Sequence, residues 1–261
     1  MNIDISGRTA VITGGAGAIG SETARVLAAS GAFVYINDVN EVMGEQDAEE
    51  INESGGRACF VKGSVTNDED IKKLYEKTCE DGRVVDILMN NAGYNVGFDK
   101  RKPISEYDPG AWNQIIDICI DGLYSCCKYF IPGMKKQGFG RIINTASVVG
   151  FRVPLRGQSA YACAKSAIIN ITRSMAINYS ECGITVNTVI PGSIMHEKLK
   201  GMVYDTPEKE ESMRLHIPMR GPGRPKDIAG ATLYLSSSLA DYVTGCCLNV
   251  DGGWASGYAL K

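Results

Sequence analysis

Two side chains with complementary proton chemistry, Tyr161 and Lys165, stand four residues apart in the chain. On a helix this spacing places them on one face, about one turn apart. A lysine ammonium beside a phenol favours the phenolate, so such a tyrosine can exchange a proton with a hydroxyl or carbonyl oxygen. Ser147 ends an apolar, strand-like run and can hydrogen-bond the same oxygen. These residues are candidates for acid–base chemistry, although a Tyr-x-x-x-Lys pair alone is usually a solvated surface pair.

A glycine-rich turn near the N-terminus indicates dinucleotide binding. The apolar run 9–13 leads into Gly-Gly-Ala-Gly-Ala-Ile-Gly at 14–20, in which positions 15, 17 and 20 fit Gly-x-Gly-x-x-Gly, and a helical pattern follows. Glycines let the backbone approach a pyrophosphate, while the helix N-terminus supplies N–H donors and the positive end of the dipole. The next apolar run ends at Asp38, at about the distance (roughly 20 residues) expected for a ribose-binding carboxylate.

Asp38 also bears on which dinucleotide is bound. A carboxylate at this place accepts hydrogen bonds from both ribose hydroxyls and repels a 2′-phosphate. Val39 rather than an arginine follows it, and the glycine turn contains no basic residue. An Asx turn at a strand end would look the same locally. In the context of the glycine turn, we expect NAD as the cofactor.

The rest of the chain alternates apolar runs with helical patterns. Seven such runs predict one α/β domain over residues 1–261, with a single Rossmann-type doubly wound parallel sheet of about seven strands and helices on both faces. Ligands of such sheets bind at the carboxyl ends of the strands. Gly14, Asn91, Ser147 and Pro191 all follow strand-like runs, so we expect them in one crevice.

Three segments carry separate expectations. A long helix is predicted from Ala111 to about Lys136, and Pro132 should bend or end it. The proline-containing stretch between the last two helical patterns is predicted to be a long loop, with a substrate lid at about 193–222. The charged run 99–102 is interpreted as solvated surface.

Composition excludes several classes of function. The 261 residues carry a net charge of -3 with mixed signs, so no polybasic stripe for nucleic acid is present. No apolar run reaches membrane-spanning length, and the start lacks a secretory signal pattern, so we expect a cytoplasmic location. Nine cysteines without a Cys-x-x-Cys, with only two histidines, predict reduced thiols used as small apolar residues and no metal site.

Together these motifs resemble the single-domain branch of the short-chain dehydrogenase/reductase superfamily. The resemblance covers nearly the whole chain and rests on Thr13-Gly14 with Gly20, Asn90-Asn91-Ala92-Gly93, Ser147, Tyr161-x-x-x-Lys165, Asn187 with Pro191-Gly192, and Asp251-Gly252-Gly253. It implies an NAD(H)-dependent oxidoreductase that interconverts a secondary alcohol and a ketone by hydride transfer. In that role Ser147 orients the substrate oxygen, Tyr161 is the general acid/base, and Lys165 supports Tyr161 and holds the nicotinamide ribose. It also implies a homotetramer or homodimer.

The resemblance assigns cofactor binding to turns at the strand ends. The expected cofactor-binding residues are Gly14, Gly17, Ile19, Gly20, Asp38, Ser64, Val65, Asn91, Ala92, Gly93, Tyr161, Lys165, Pro191, Gly192 and Ile194. A small-molecule substrate is expected to meet Asn95, Arg152, Gln158 and His196. Arginines in this region either bind an anionic group of the substrate, which a guanidinium fork fits, or lie in solvent or an interface.

The chain departs from the family pattern at three positions. Ala18 stands in the glycine turn where the family usually has glycine, and His196 stands where a threonine usually follows Pro-Gly. Cys119 stands where the long helix usually carries an asparagine at a break that holds a relay water. A thiol is a weak hydrogen-bonding group and a good apolar filler, so we expect a straighter helix there and a weaker relay to Lys165.

Two alternative functions stay open at this point. One is a 3-oxoacyl-carrier-protein reductase, although such enzymes mostly use NADPH and Asp38 argues against that. The other is a catalytically weak, cofactor-binding regulatory or scaffold protein, which the intact set of Ser147, Tyr161 and Lys165 disfavours. The sequence does not choose among sugars or polyols, hydroxy acids and hydroxysteroids as substrates.

Overall fold

The computed structural model describes residues 3–95, 101–196, 200–201 and 206–257. Its strands are β1 (Thr9–Thr13), β2 (Phe33–Asp38), β3 (Arg57–Lys62), β4 (Ile87–Asn90), β5 (Gly140–Thr145), β6 (Ile184–Pro191) and β7 (Cys247–Val250). They form one seven-stranded sheet in the order β3-β2-β1-β4-β5-β6-β7, and every pairing is parallel. The predicted Rossmann-type α/β fold is confirmed.

The helices follow the strands in alternation. The described residues contain α1 (Ala18–Ala29), α2 (Glu41–Glu53), α3 (Asp68–Glu80), α4 (Pro109–Ile116), α5 (Gly122–Gln137), α6 (Val148–Phe151), α7 (Ser159–Tyr179), α8 (Pro207–His216) and α9 (Pro225–Ser236). A five-residue π-helical segment, Asp117–Asp121, joins α4 to α5. Capping residues determine where several of these helices begin. For example, the Asn67 side chain caps α3, whose first turn is acidic.

The two-residue period of the strands sends side chains to opposite faces of the sheet. In β1, Val11 packs into the core beneath α3, α4, α5 and α7, together with Leu88 of β4. Its neighbours Ala10 and Ile12 pack into the second core, beneath α1, α2 and α9. Both faces are therefore apolar and covered, as a parallel sheet requires.

The strand order changes direction between β1 and β4, which opens a crevice at their carboxyl ends. The loops after these strands touch there. Gly14 has a φ of 61°, and a Cβ at this position would lie 2.8 Å from the Cα of Ala92. The Asn91 amide donates to the carbonyls of Thr13 and Gly14 at 3.2 and 3.0 Å. Only glycine at position 14 allows this close approach.

Pro132 was expected to bend or end its helix and does not end it, and the expectation of a long loop before Pro225 was wrong. Pro132 lies inside α5, which continues to Gln137 and ends at Gly138 in the left-handed conformation. Pro207 begins α8 inside the stretch predicted to be a loop, because the first helical position does not need an N–H donor. Residues 197–199 and 202–205 of the predicted lid lie outside the described residues. Among the helices that are described, none combines the length and apolar character needed to cross a bilayer.

Candidate active site

Helix α7 presents Tyr161 and Lys165 to the carboxyl end of β5. Lys165 is only 3% exposed, and its Nζ donates to the carbonyl oxygen of Thr145 at 2.7 Å. The same nitrogen lies 5.6 Å from the centroid of the Tyr161 ring. The two side chains share one face of the helix, as their spacing predicts. The lysine is thus held in place by backbone, next to the phenol.

Ser147 reaches the same place from the end of β5. It caps the short helix α6, and its Oγ accepts a hydrogen bond from the N–H of Val149 at 3.2 Å. Helix α6 lies directly on α7 at Gly150, where a Cβ would be 2.6 Å from the carbonyl carbon of Lys165. The glycine therefore lets two backbones meet and fixes Ser147 relative to the Tyr161 helix.

These three residues line one cavity of about 1010 Å³. Several residues predicted to bind the cofactor line it as well, and they follow β1, β4 and β6: Ile19, Asn91, Gly93, Pro191, Gly192 and Ile194. The topology of the sheet therefore gathers acid–base groups and cofactor candidates from distant parts of the chain into one crevice.

The glycine turn and Asp38 form the other end of the dinucleotide site. Asp38 Oδ2 accepts the N–H of Ala16 at 3.1 Å, and its Oδ1 accepts the N–H of Asn40 at 2.9 Å. A Cβ at Gly20 would lie 2.3 Å from the Gly14 carbonyl oxygen, so the turn closes only with glycine there. No side chain caps α1 at Gly17, which leaves its first backbone donors to an anion. The residues present fit a dinucleotide.

The remaining cofactor candidates follow β3 and β4. The N–H of Ser64 donates to the Asp70 carboxylate at 3.0 Å, and Val65 is buried against Gly122. Both lie at the edge of the sheet that carries Asp38, since β3 pairs in parallel with β2. Ala92 lies against Gly14. Their roles in cofactor binding stay predictions.

The expectation of a straighter helix at Cys119 was wrong. Cys119 lies inside the π-helical segment and is 2% exposed. A Cβ placed on Gly93 would lie 3.9 Å from its Sγ and 3.3 Å from Lys165 Nζ, so the thiol and the ammonium flank the same glycine. Helices depart from α-geometry in this way mostly at functional sites. The departure here does not need an asparagine side chain.

The structure brings together three of the four predicted substrate residues. Asn95, Gln158 and His196 line the cavity. Arg152 does not; it is exposed, and its guanidinium lies 5.1 Å from the centroid of the Phe151 ring. Arg152 therefore does not line the cavity as expected. The direction of its side chain depends on how α6 packs, and the spacing of residues in the sequence does not reveal that packing.

Sequence analysis missed Arg101. The run 99–102 was interpreted as solvated surface: residues 99–100 lie outside the described residues and Lys102 is exposed, but Arg101 is partly buried and lines the cavity. Burial lowers the pKa of its guanidinium, whereas the nearby Tyr107 and Tyr161 act in the opposite direction. Its backbone lies against Gly157, whose φ is 67° and whose Cβ, if present, would be 2.7 Å from Arg101 Cβ. No local signal reveals a contact between two loops so far apart in the chain.

Helix α8 lies within the predicted substrate lid, where the sequence had predicted a loop. Four of its residues line the cavity, namely Lys209, Ser212, Met213 and His216. A sequence signal existed, since Thr206 caps the helix by accepting the N–H of Lys209 at 3.3 Å and Pro207 occupies its first turn.

The cysteines form no cross-links, and all nine are free. Burial raises the pKa of the Cys127 thiol to about 12, which keeps it protonated and unreactive near neutral pH. Within the described ranges, no three His, Cys, Asp or Glu side chains are grouped so that they could hold a metal ion.

Comparison with known proteins places the chain among alcohol dehydrogenases. A family model described as enoyl-(acyl carrier protein) reductase matches residues 14–255. Cis-4-hydroxycyclohexanecarboxylate dehydrogenase from Sinomonas cyclohexanicum is 35% identical over 95% of this chain and 97% of its own. A 7alpha-hydroxysteroid dehydrogenase from Clostridium sardiniense is 35% identical over 97% and 95%. The structure of a gluconate 5-dehydrogenase from Burkholderia cenocepacia J2315, in complex with NADP and tartrate, superposes with a TM-score of 0.90 at 28% identity, covering 98% of each chain.

The parallel sheet, the gathered Ser147, Tyr161 and Lys165, and these likenesses define an oxidoreductase that acts on CH–OH groups with a nicotinamide dinucleotide. The chain belongs to the short-chain dehydrogenase/reductase superfamily, as its motifs predict.

Proposed function

We propose that this protein is an NAD(H)-dependent dehydrogenase that interconverts a secondary alcohol and a ketone, with Tyr161 as general acid/base. The observation that carries the proposal is that Ser147, Tyr161 and Lys165 line one cavity together with the residues expected at the nicotinamide. When bound, the nicotinamide ring accepts or supplies the hydride.

The protein's own groups would handle the proton. Tyr161 takes the hydroxyl proton during oxidation and returns it during reduction, while the Ser147 hydroxyl holds the reacting oxygen. The Lys165 ammonium lies beside that phenol, 5.6 Å from the centroid of its ring. One of the three N–H donors of the Lys165 ammonium is hydrogen-bonded to Thr145. The other two can donate to the nicotinamide ribose and to water.

The preference for NAD is supported by Asp38. Its carboxylate accepts a hydrogen bond from the N–H of Ala16 in the glycine turn. At that place it would bind ribose hydroxyls and repel a 2′-phosphate. NADP in the Burkholderia structure means that the scaffold also accepts the phosphorylated cofactor. The choice therefore depends on side chains at the end of β2 rather than on the fold.

The relatives support a secondary alcohol on a ring or a polyol chain as the substrate. Two of the three are named for hydroxy acids and one for a hydroxysteroid. The cavity is large enough for these classes, with apolar walls such as Leu155 and Trp254 beside polar groups.

We further propose that residues 193–222 form a lid. An isolated parallel bridge between Ile194 and Gly223 joins the two ends of this segment. Helix α8, which lies within it, contributes Lys209 and His216 to the cavity lining. A segment with a fixed base and a cavity-facing helix can exclude water when substrate is bound.

Assembly into a homotetramer or homodimer is the corresponding proposal for quaternary structure. The exposed aromatic Tyr124 on α5 and the exposed Ile177 on α7 are supporting features, because large apolar side chains on neighbouring helices favour burial in an interface. Light scattering on purified protein would give the oligomeric state.

The function is tested by a dehydrogenase screen with NAD and NADP against secondary alcohols that include hydroxy acids, polyols and hydroxysteroids. We expect NAD-linked turnover in the native protein. Tyr161→Phe should bind NADH normally and lose about 10²–10⁴-fold in kcat, because only the proton-transfer group is removed. Near-native turnover by Tyr161→Phe, or tight NADH binding without any turnover across the panel, would overturn the proposal.

A further inference from the structure

The charged side chains that line the active-site cavity all have one sign. The cationic residues of the described lining are Arg101, Arg156, Lys165 and Lys209, and that lining includes no aspartate or glutamate. The chain as a whole has a net charge of -3, so the positive lining is a local property of this cavity. A low-dielectric cavity lined by one sign of charge concentrates ligands of the opposite sign.

The bound dinucleotide does not account for Arg101. The donors expected to meet its pyrophosphate are at the start of α1, next to Gly17. Arg101 instead lies beside Tyr161 and Gln158, in the part of the cavity where the substrate is expected. The guanidinium is therefore a feature of the substrate side of the site.

A second side chain fixes the orientation of Arg101. Gln158, which is 2% exposed, has its amide satisfied when the oxygen faces Arg101, where it accepts from both terminal nitrogens at 2.9 and 2.8 Å. The Gln158 amide nitrogen then lies 3.2 Å from the Asn95 side-chain amide, which accepts from it when the Asn95 oxygen is turned towards Gln158. A neutral amide therefore orients the guanidinium on the cavity wall. Gly157 completes the arrangement, because a side chain there would displace the Arg101 backbone.

We propose that the substrate carries a carboxylate, and that Arg101 binds this group while Ser147 and Tyr161 hold the reacting CH–OH oxygen. A planar guanidinium fork fits a carboxylate bidentately, and partial burial strengthens the attraction relative to a surface arginine. Arg156 and Lys209, both exposed residues of the cavity lining, add to the field that draws in an anion. The proposal deepens the proposed function and rests on it for the identity of the reacting group.

The first test measures binding without turnover. Cyclohexanecarboxylate and benzoate are titrated calorimetrically into the protein, with and without NADH, beside cyclohexanecarboxamide and benzamide. The native protein should bind each acid at least about tenfold more tightly than its amide, as a charge-assisted pair predicts. Arg101→Met should abolish the difference, and Arg101→Lys should keep part of it. Arg152→Met is the matched control, because this arginine is exposed and outside the cavity lining.

The second test uses cis-4-hydroxycyclohexanecarboxylate and its carboxamide as alcohols with NAD. In Arg101→Met, kcat/KM for the acid should fall at least about tenfold and that for the amide should change little. Equal binding of acids and amides by the native protein overturns the proposal. So does a retained acid preference in Arg101→Met with native NADH affinity and thermal midpoint. Arg101-dependent binding of acids without any alcohol turnover would instead contradict the proposed function and leave the anion site established.

Discussion

The ammonium nitrogen of Lys165 donates to the backbone carbonyl of Thr145 at 2.7 Å, which ties the middle of α7 to the carboxyl end of β5. Residue 165 is buried, and its side chain lies along the cavity wall beside Tyr161. A buried ammonium requires hydrogen-bond partners, and here the strand itself supplies one. This hydrogen bond fixes the position of the lysine ammonium relative to the Tyr161 phenol.

Lys165→Met should lose both cofactor affinity and rate. The variant keeps the apolar stem and removes the positive charge beside the Tyr161 phenol, together with the donors expected to meet the ribose. We expect kcat/KM to fall by at least roughly 10²-fold, the scale of a lost acid–base contribution, and NADH fluorescence titrations to show weaker binding. Lys226→Met, at an exposed lysine of α9, is the control and should behave as native. Native NADH affinity in Lys165→Met would contradict the ribose role.

Asp38→Ala should shift the cofactor preference towards NADP. The substitution removes the acceptor for the ribose hydroxyls and the repulsion of a 2′-phosphate. Since each charge-assisted hydrogen bond contributes about 1.5–3 kcal/mol, the ratio of kcat/KM for NAD over NADP should change at least about tenfold. Steady-state kinetics with both cofactors measure the ratio. A native enzyme that already prefers NADP would show that the assignment of Asp38 is wrong.

Gly150→Ala should damage both stability and activity. The new Cβ would lie 2.6 Å from backbone of Lys165, which cannot yield without moving α6 away from α7. We expect the free energy of unfolding to drop by about 1–3 kcal/mol, as for other overpacked sites, with a lower kcat because Ser147 moves with α6.

Gly230→Ala in α9 is the matched control for that substitution. Its Cβ would meet nothing within 4 Å, and the site is exposed in a helix interior. Replacing glycine there should raise the free energy of unfolding by about 0.5–1 kcal/mol. Chemical denaturation measures both variants, and equal stability of Gly150→Ala and native protein would refute the packing argument.

Cys119→Ala should keep the rate within a few-fold of native. The helix already departs from α-geometry at Asp117–Asp121 with a cysteine in place, so the backbone arrangement does not depend on that side chain. For the same reason Cys119→Asn should leave kcat close to native. Because the thiol is buried, its removal should lower the free energy of unfolding by about 1 kcal/mol. A folded Cys119→Ala without activity would reveal a chemical role for the thiol.

The sequence by itself determined the sheet, the glycine turn and the pairing of Tyr161 with Lys165. Each of these depends on a local rule: strand alternation and helical spacing follow from backbone geometry, and the close turn at Gly14 and Gly20 follows from the absence of a Cβ. The carboxyl ends of parallel strands must meet at one edge, so the crevice followed from the order of the elements.

Only the tertiary structure decided which arginine enters the site. Arg101 lies in a polar run and Arg152 in a short turn after β5, and neither stretch has a periodicity that fixes the direction of a side chain. Packing of the loop at Gly157 directs Arg101 into the cavity, and α6 leaves Arg152 outside. The π-helical segment at Cys119 likewise depends on how α4 and α5 pack on the rest of the fold. Contacts between segments far apart in sequence have no local signature, which is the physical reason that these features emerged only from the folded chain.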